Sequence, residues 1–582
     1  MRLLLAALAL CVVSPAMAGP NEDVDAVIAD HWRWWLKAHP VEATSFGVRD
    51  YDNMLADVSL SAADRDAAIA QKLLDRLNAI ADQRLSDAQR TNKGVLATLL
   101  SDQIAGNGYG QRMMLFSTYA GWHQSFADIA SGLPFFNAAD YQSYLTRLAA
   151  YPRYHQDALT ISAQALKQGF VQPCLALGGF ENTIMGAVAG KPEATRLFEP
   201  FTRSRPASIN EADWTMLKAK AVALIRDVIL PEYRAFDEFY RTRYKPKCRA
   251  TIGASVMPQG KDWYRLQARI HTTTELTPDQ IHQIGLDEVA RIGARMDKLA
   301  SEAGASNRAV FIAQLRNDPA SVAKTPEELM AAAARVSKLI DGLMPRYFAT
   351  LPRLPYGLKS IPAETAETTT TAYYSPGSPE SGIAGNYFVN TSKLPQRPLW
   401  ELPALTAHEA VPGHHNQIAR QQELPLPEFR KRAAGFTAYV EGWGLYSEYL
   451  GEEMGLYDTP PKMMGRLSYE MWRACRLVVD TGMHWKGWSK DQAIAYMRAN
   501  TALSDANIEA EVNRYISWPG QALGYKIGEI KIRALRTKAE QSLGARFDLR
   551  RFHDAVLEQG AVPLTVLEAQ IDQWIAKELR TQ

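Results

Sequence analysis

Residues 406–417 read TAHEAVPGHHNQ, and the fold turns on how the backbone passes through them. His408 and Glu409 precede a Pro412-Gly413 pair, and two further imidazoles, His414 and His415, follow it. On a regular helix each residue turns about 100° and rises about 1.5 Å. His415 would then share a face with His408 but lie about 10 Å further along, whereas His414 would point about 120° away. Neither suits a ligand shared with His408 on an undistorted helix. Proline removes a backbone donor and clashes with the preceding turn, and glycine tolerates unusual dihedrals, so a bulge or kink is expected at Pro412-Gly413. Such a distortion lets a longer spacing serve where a regular metal-binding helix uses four residues. The geometry leaves open which of His414 and His415 joins His408.

Outward from this stretch, most of the chain reads as capped helix. TPDQIHQIGLDEVARIGARMDKLA opens with Thr277 as N-cap, Pro278 in the first turn and Gln280 closing a capping box. Ile281, Ile284, Ile292, Met296 and Leu299 then fall on roughly one stripe. The same grammar returns at Thr325 and at Ser489, and nothing repeats at the period of a solenoid. One region differs: AETTTTAYYSPGSPESGIAGNYFVN, 366–390, has the composition of short strands joined by turns. Within it GNYFVN, Gly385 to Asn390 and including Tyr387, is a candidate edge strand for pairing with an extended peptide; the alternative is an ordinary connecting hairpin. A loop-like segment, RYKPKCRATIGASVMPQG, separates an N-terminal helical lobe, 19–250, from a lobe running over 251–582.

The 582 residues, 47% of them hydrophobic, can bury a large core. A net charge of +2, from 65 basic and 63 acidic residues, gives no pull toward nucleic acid or anionic lipid, and both are excluded as partners. MRLLLAALALCVVSPAMA, residues 1–18, has one arginine, a short apolar run and an Ala16-Met17-Ala18 ending, which fits a cleavable signal peptide. A lipid-modified Cys11 would need a small residue before it, and Leu10 stands there. No later stretch is apolar enough to span a bilayer, so a soluble periplasmic or secreted protein with no membrane partner is expected. Cys174 and Cys248 either pair or remain buried thiols, leaving Cys475 free.

Two imidazoles and a carboxylate are the usual ligands of a catalytic zinc, with a nearby glutamate to take a proton from water. HEAVPGHHNQ followed by EGWGLYSE, 441–448, resembles the bacterial domain-of-unknown-function 885 family, which carries HExxPGH and a downstream EGWxxYxE. The resemblance extends to YYSPGSPESGIAGNYFVNTS upstream and to RLVVDTGMHWKGWS and NRYISWPGQALGYKIG downstream. In that pattern the histidine after Pro-Gly belongs to the motif, which implies His414 as ligand and leaves His415 as its neighbour. A more distant likeness is to the thimet oligopeptidase and carboxypeptidase Taq families, helical zinc peptidases with an HExxH helix. This chain departs from their motif by two inserted residues. The likeness implies one zinc held by His408, His414 and Glu441, with Glu409 as general base and Glu448 bracing a ligand histidine. Tyr446, in the same motif, is a further bracing or substrate-binding candidate.

RLVVDTGMHWKGW places Arg476, Asp480 and His484 on one side of a helix. The arginine could hold a substrate carboxylate and the histidine could donate to a developing oxyanion, or the three could form a buried polar ladder. Tyr515 and Tyr525 flank SWPGQALG; in the distant relatives tyrosines after the third ligand stabilise the tetrahedral intermediate, and Tyr525 is the preferred match. The expectation is an all-α, two-lobed, zincin-like helical fold with a small β element beside a cleft. Its expected activity is that of an exported zinc metallopeptidase acting on peptide substrates. A metal-dependent hydrolase of another amide or ester, and a non-catalytic peptide-binding protein, are the alternatives.

Overall fold

A computed structural model describes residues 19–580 apart from 118–119, 363–365, 368 and 379–382; the expected signal peptide, 1–18, lies outside the described residues. Helices begin where the caps place them. Thr277 accepts from the Gln280 amide with a closed capping box at the start of Pro278–Glu302, Thr325 caps Pro326–Tyr347, and Ser489 with Gln492 boxes Lys490–Asn500. The Pro278–Glu302 helix buries Ile281, Ile292 and Met296, the stripe that its periodicity marks. The chain is mostly α-helical with a small β element, and among the described residues no helix is long and apolar enough to cross a membrane.

The sheet has three strands, β1 (Tyr356–Ser360), β2 (Ala372–Ser375) and β3 (Gly385–Val389), in the order β1-β3-β2. β3 runs parallel to β1, with Tyr387 opposite Leu358, and antiparallel to β2, with Tyr387 opposite Tyr374. The candidate edge strand is therefore the central one. Its backbone groups are paired on both sides, and only β1 and β2 present open edges for strand addition.

Three large cores hold the helices. Val24, Leu77 and Leu96, from helices Pro20–Ala38, Leu60–Asn78 and Asp87–Asn107, pack with Trp443, Ile532, Phe552 and Ile571 in one. A second joins the 278–302 and 460–484 helices to the sheet, and a third, rich in aromatic rings, spans residues 116–244. A boundary near residue 250 thus leaves the first three long helices in the core of the C-terminal part. Beside the third core, Cys174 and Cys248 form a disulfide with Cα atoms 5.0 Å apart; elsewhere, Cys475 is a buried free thiol.

A buried charge network fixes the helices that carry the site. Lys526 has no exposure and lies 2.8 Å from each of Glu288, Glu470 and Glu529, while Arg291 and Arg466 also bind Glu470. An isolated buried ammonium would be prohibitive, and three carboxylates offset its desolvation. Deleting one partner of such a pair costs about 3–5 kcal/mol. The network locks the Pro278–Glu302, Pro460–His484 and Gly524–Leu543 helices together.

Candidate metal centre

The helix Leu402–Glu409 ends at the glutamate of the motif, and a new helix starts at His414 and runs to Glu423. The sequence leads one to expect a bulge or kink; the structure has a complete break between two helices. Ala410 (φ −96°, ψ −114°) and Gly413 (φ −75°, ψ −127°) leave helical space, and the Val411–Pro412 peptide bond between them is cis. A Cβ on residue 413 would stand 1.9 Å from the His408 carbonyl oxygen, so only glycine fits. Trp443 Nε1 donates to the Pro412 carbonyl at 2.8 Å and pins the loop. This turn swings His414, rather than His415, against His408, with ring centroids 4.7 Å apart and planes at 85°.

Glu441 completes the group from helix Thr437–Glu453. Its Oε2 lies 3.4 Å from His408 Nε2 and 3.5 Å from His414 Nε2, and the three ligand atoms all fall within 4.8 Å of one another. Bonds of 2.0–2.2 Å to a tetrahedral zinc set its ligand atoms ~3.3–3.5 Å apart, so the spacing suits such an ion. On the far side of the ring, His408 Nδ1 meets Glu448 Oε1 at 2.8 Å, and Arg473 Nη2 holds the same oxygen at 3.2 Å. Glu441 and Glu448 are seven residues apart and share one helix face. Gly444 lies between them, where a Cβ would come 2.6 Å from His408 Cε1. Burial works against charge on His408, but its hydrogen bonds to the Glu441 and Glu448 carboxylates outweigh it and raise its pKa to about 9. Burial pushes Glu441 up, and His408 and His414 more than reverse this, holding it well below the usual carboxylate range. The carboxylate and imidazoles draw positive charge into the centre.

His415 faces elsewhere. Its Nε2 donates to the Leu354 carbonyl at 3.0 Å and its Nδ1 accepts from the Tyr374 hydroxyl at 3.0 Å, so both nitrogens are engaged in tying the helix to the sheet. Burial lowers its pKa to about 4. Glu409 closes its helix half-buried, with no hydrogen-bond or ion-pair partner among the described residues. Tyr387, fully buried in β3, sits 3.5 Å from Thr406 Oγ1; burial, with a smaller push from the Glu409 charge, raises its phenol above the ordinary range. Tyr446 is on the opposite face of its helix from the glutamates. It donates to His553 Nε2 at 2.7 Å and accepts from Arg536, so it braces the core and does not reach the centre.

The helix face carrying Arg476, Asp480 and His484 divides by depth. Arg476 is stacked between Trp472 and Tyr525, at 4.4 and 4.2 Å, and donates to Tyr515 and Glu511. Burial raises the pKa of Tyr525, the Glu441 charge adds to this, and Arg476 and Arg514 oppose it. Asp480 instead accepts from Tyr264 at 2.6 Å and from the Gly520 amide at 3.1 Å, and burial pushes its pKa up to about 7. His484 Nδ1 accepts from the Ala254 amide and Nε2 donates to the Tyr515 carbonyl. With both nitrogens taken by main chain and no exposure, His484 is a structural brace and not an oxyanion donor. The Tyr515 hydroxyl accepts from Trp472 and Arg476 and donates to Glu511, which makes it a support for Arg476.

Sequence reading missed Gly444, Arg473, Tyr374, Glu511 and Arg514. Gly444 stood in the quoted motif, and Tyr374 and Arg514 in the stretches quoted around it; Arg473 and Glu511 lie in patterns indistinguishable from ordinary helix.

Solved structures share this fold. A "putative lipoprotein" from Colwellia psychrerythraea is 28% identical, with a TM-score of 0.86 over 96% of this chain and 100% of its own. A "putative lipoprotein of unknown function" from Shewanella oneidensis is 19% identical, with a TM-score of 0.72 over 95% of this chain and 99% of its own, a likeness of fold alone. Among curated proteins none matches. The family described as "Bacterial protein of unknown function (DUF885)" matches residues 40–571, through both lobes and every element of the metal centre, and the chain belongs to it.

Proposed function

We propose that the chain is an exported zinc-dependent metallopeptidase that hydrolyses short peptides. The observation that carries the reading is the convergence of His408, His414 and Glu441, with the base candidate Glu409 at the adjoining helix end. Two imidazoles with one carboxylate suit zinc better than calcium or magnesium, which favour all-oxygen shells. His408, His414 and Glu441 would hold the ion, which when bound supplies a Lewis-acid position and an acidified water. Glu448 fixes the His408 ring so that Nε2 faces Glu441. Glu409 takes the proton from water and returns it to the leaving amine. Tyr525 donates to the oxygen of the former carbonyl as negative charge builds there.

Export is supported by the signal-like 1–18 segment, by the Cys174–Cys248 disulfide, and by the lipoprotein description of the Colwellia structure. The test is metal analysis together with hydrolysis of a mixed peptide library, with and without chelator. About one zinc per chain and chelator-sensitive cleavage are expected. No zinc after it is supplied overturns the metal assignment; zinc without peptide cleavage turns the reading to another amide or ester, or to a binding protein.

A further inference from the structure

We infer that the apolar cavity between the 111–116 stretch, the segment around Arg249 and the 516–519 turn is a binding site for a small amphipathic carboxylate. The apolar chain occupies the cavity and the head group meets the Arg249 guanidinium. No residue of the candidate metal centre lines this cavity, so the site stands whether or not the chain is a peptidase.

Side chains far apart in sequence converge here. Met114, Leu115, Phe116, Met257, Trp263 and Ile516 line a space of about 490 Å³, inside the ~300–1,000 Å³ typical of ligand sites. Water in such a space gives up hydrogen bonds that apolar walls cannot return, so an apolar occupant displaces it favourably. The two methionines let the lining adapt to the shape of a chain. Trp518, also in the lining, is 51% exposed, and its ring is apolar surface that an occupant covers.

One charge stands in this apolar wall. Arg249 is the single charged side chain among the described residues that line the cavity, and no carboxylate lies within ion-pair distance of it among the described residues. Its Nε donates to the Val171 carbonyl at 2.9 Å, and its Nη1 to the carbonyls of Thr251 and Gly253 at 2.7 and 2.8 Å. Its own main chain is held as well, since the Arg249 amide donates to the Gln172 carbonyl and its carbonyl accepts from the Cys174 amide, beside the Cys174–Cys248 disulfide. The guanidinium is thus fixed in place. Its remaining nitrogen, Nη2, has no acceptor among the described residues and is not sealed in the interior.

Burial lowers the Arg249 pKa to about 10, and the Tyr244 phenol alone opposes this, with no carboxylate to help it. A cation removed from water without an anion is costly, and a ligand that brings one offsets the cost. A carboxylate carries one charge against this one cation, whereas a phosphate monoester carries about 1.5–2. An uncharged apolar molecule leaves the guanidinium unmatched, and a bare anion leaves the apolar lining unfilled. The two features together select a chain that ends in a carboxylate.

The probe is octanoate, titrated into the full chain by calorimetry, with octan-1-ol, hexanoate and acetate for comparison. About one octanoate per chain is expected. Octan-1-ol should bind roughly 10–100-fold more weakly, the range of a charge-assisted hydrogen bond. Hexanoate should bind roughly tenfold more weakly for its two missing methylenes, and acetate not measurably. Octanoate should also raise the thermal unfolding midpoint as its concentration rises. Arg249→Gln should bring acid and alcohol to within about threefold of each other, and Arg249→Lys should restore part of the difference. Gln267→Trp, at a half-buried position of the lining whose side chain makes no hydrogen bond among the described residues, fills the space and should abolish binding of both. This variant and the wild-type series decide the matter even if Arg249→Gln does not fold. Equal binding of octanoate and octan-1-ol overturns the proposal, and so does acetate binding as tightly as octanoate. Several octanoates per chain, binding unchanged in Gln267→Trp, or no binding of any probe overturns it too.

Discussion

Replacing His414 and His415 separately by alanine tests the reading of the broken helix. His414 Nε2 is 3.5 Å from Glu441 Oε2 and has no competing bond at that nitrogen among the described residues, so on the proposed reading His414→Ala removes one of three protein ligands. Structural zinc sites bind with about 10–16 kcal/mol over four ligands, so a single ligand contributes about 2.5–4 kcal/mol, or roughly 60–700-fold in affinity. His415 is different, because both its nitrogens are already bonded, to Leu354 and Tyr374. Its loss loosens the attachment of the His414–Glu423 helix to β2 and should weaken zinc by no more than the roughly 10–100-fold typical of residues that orient ligands. Zinc titration against a competing chromophoric chelator measures both. Equal losses, or a larger loss for His415→Ala, would refute the assignment and mean that the turn at Pro412-Gly413 delivers the other imidazole.

Glu409→Gln should keep zinc within about twofold of wild type yet lose roughly 100-fold or more of peptide turnover, because the amide cannot accept a proton; wild-type kcat in this variant removes Glu409 as the base. Gly444→Ala puts a methyl 2.6 Å from the His408 ring and should lower zinc affinity roughly tenfold or more, read in the same titration; unchanged affinity would show that the ring position is not set by this contact. Asp480 keeps its proton up to about pH 7 when folded but releases it near 3.8 when unfolded. Between those values the native state binds more protons, so its contribution to stability falls as pH rises, by up to about 1.4 kcal/mol per pH unit. Asp480→Asn retains an oxygen acceptor for Tyr264 and Gly520 and lacks the proton. Denaturant midpoints from pH 4.5 to 8 should therefore decline less in the variant than in the wild type, and parallel profiles would contradict this.

The sequence by itself determined the helices, because capping and periodicity are local: Thr277, Thr325 and Ser489 open their helices wherever the chain packs. It also carried the residue types of the candidate metal centre, since spacing of seven places Glu441 and Glu448 on one face of any helix. What it left open were relations between segments distant along the chain. β3 became the central strand because β1 and β2 both pair with it, an ordering that no strand's composition encodes. Tyr446 turned into the core and His484 onto main-chain groups because each ring's partners, His553 for one and Ala254 and Tyr515 for the other, lie far away in sequence. The choice of His414 over His415 depended on the backbone angles at Ala410 and Gly413 and on Trp443 holding the loop. Those are tertiary facts, and the pairing of Arg476 and Arg514 with one carboxylate, Glu511, is another, since such contacts exist only between groups that the fold has brought together.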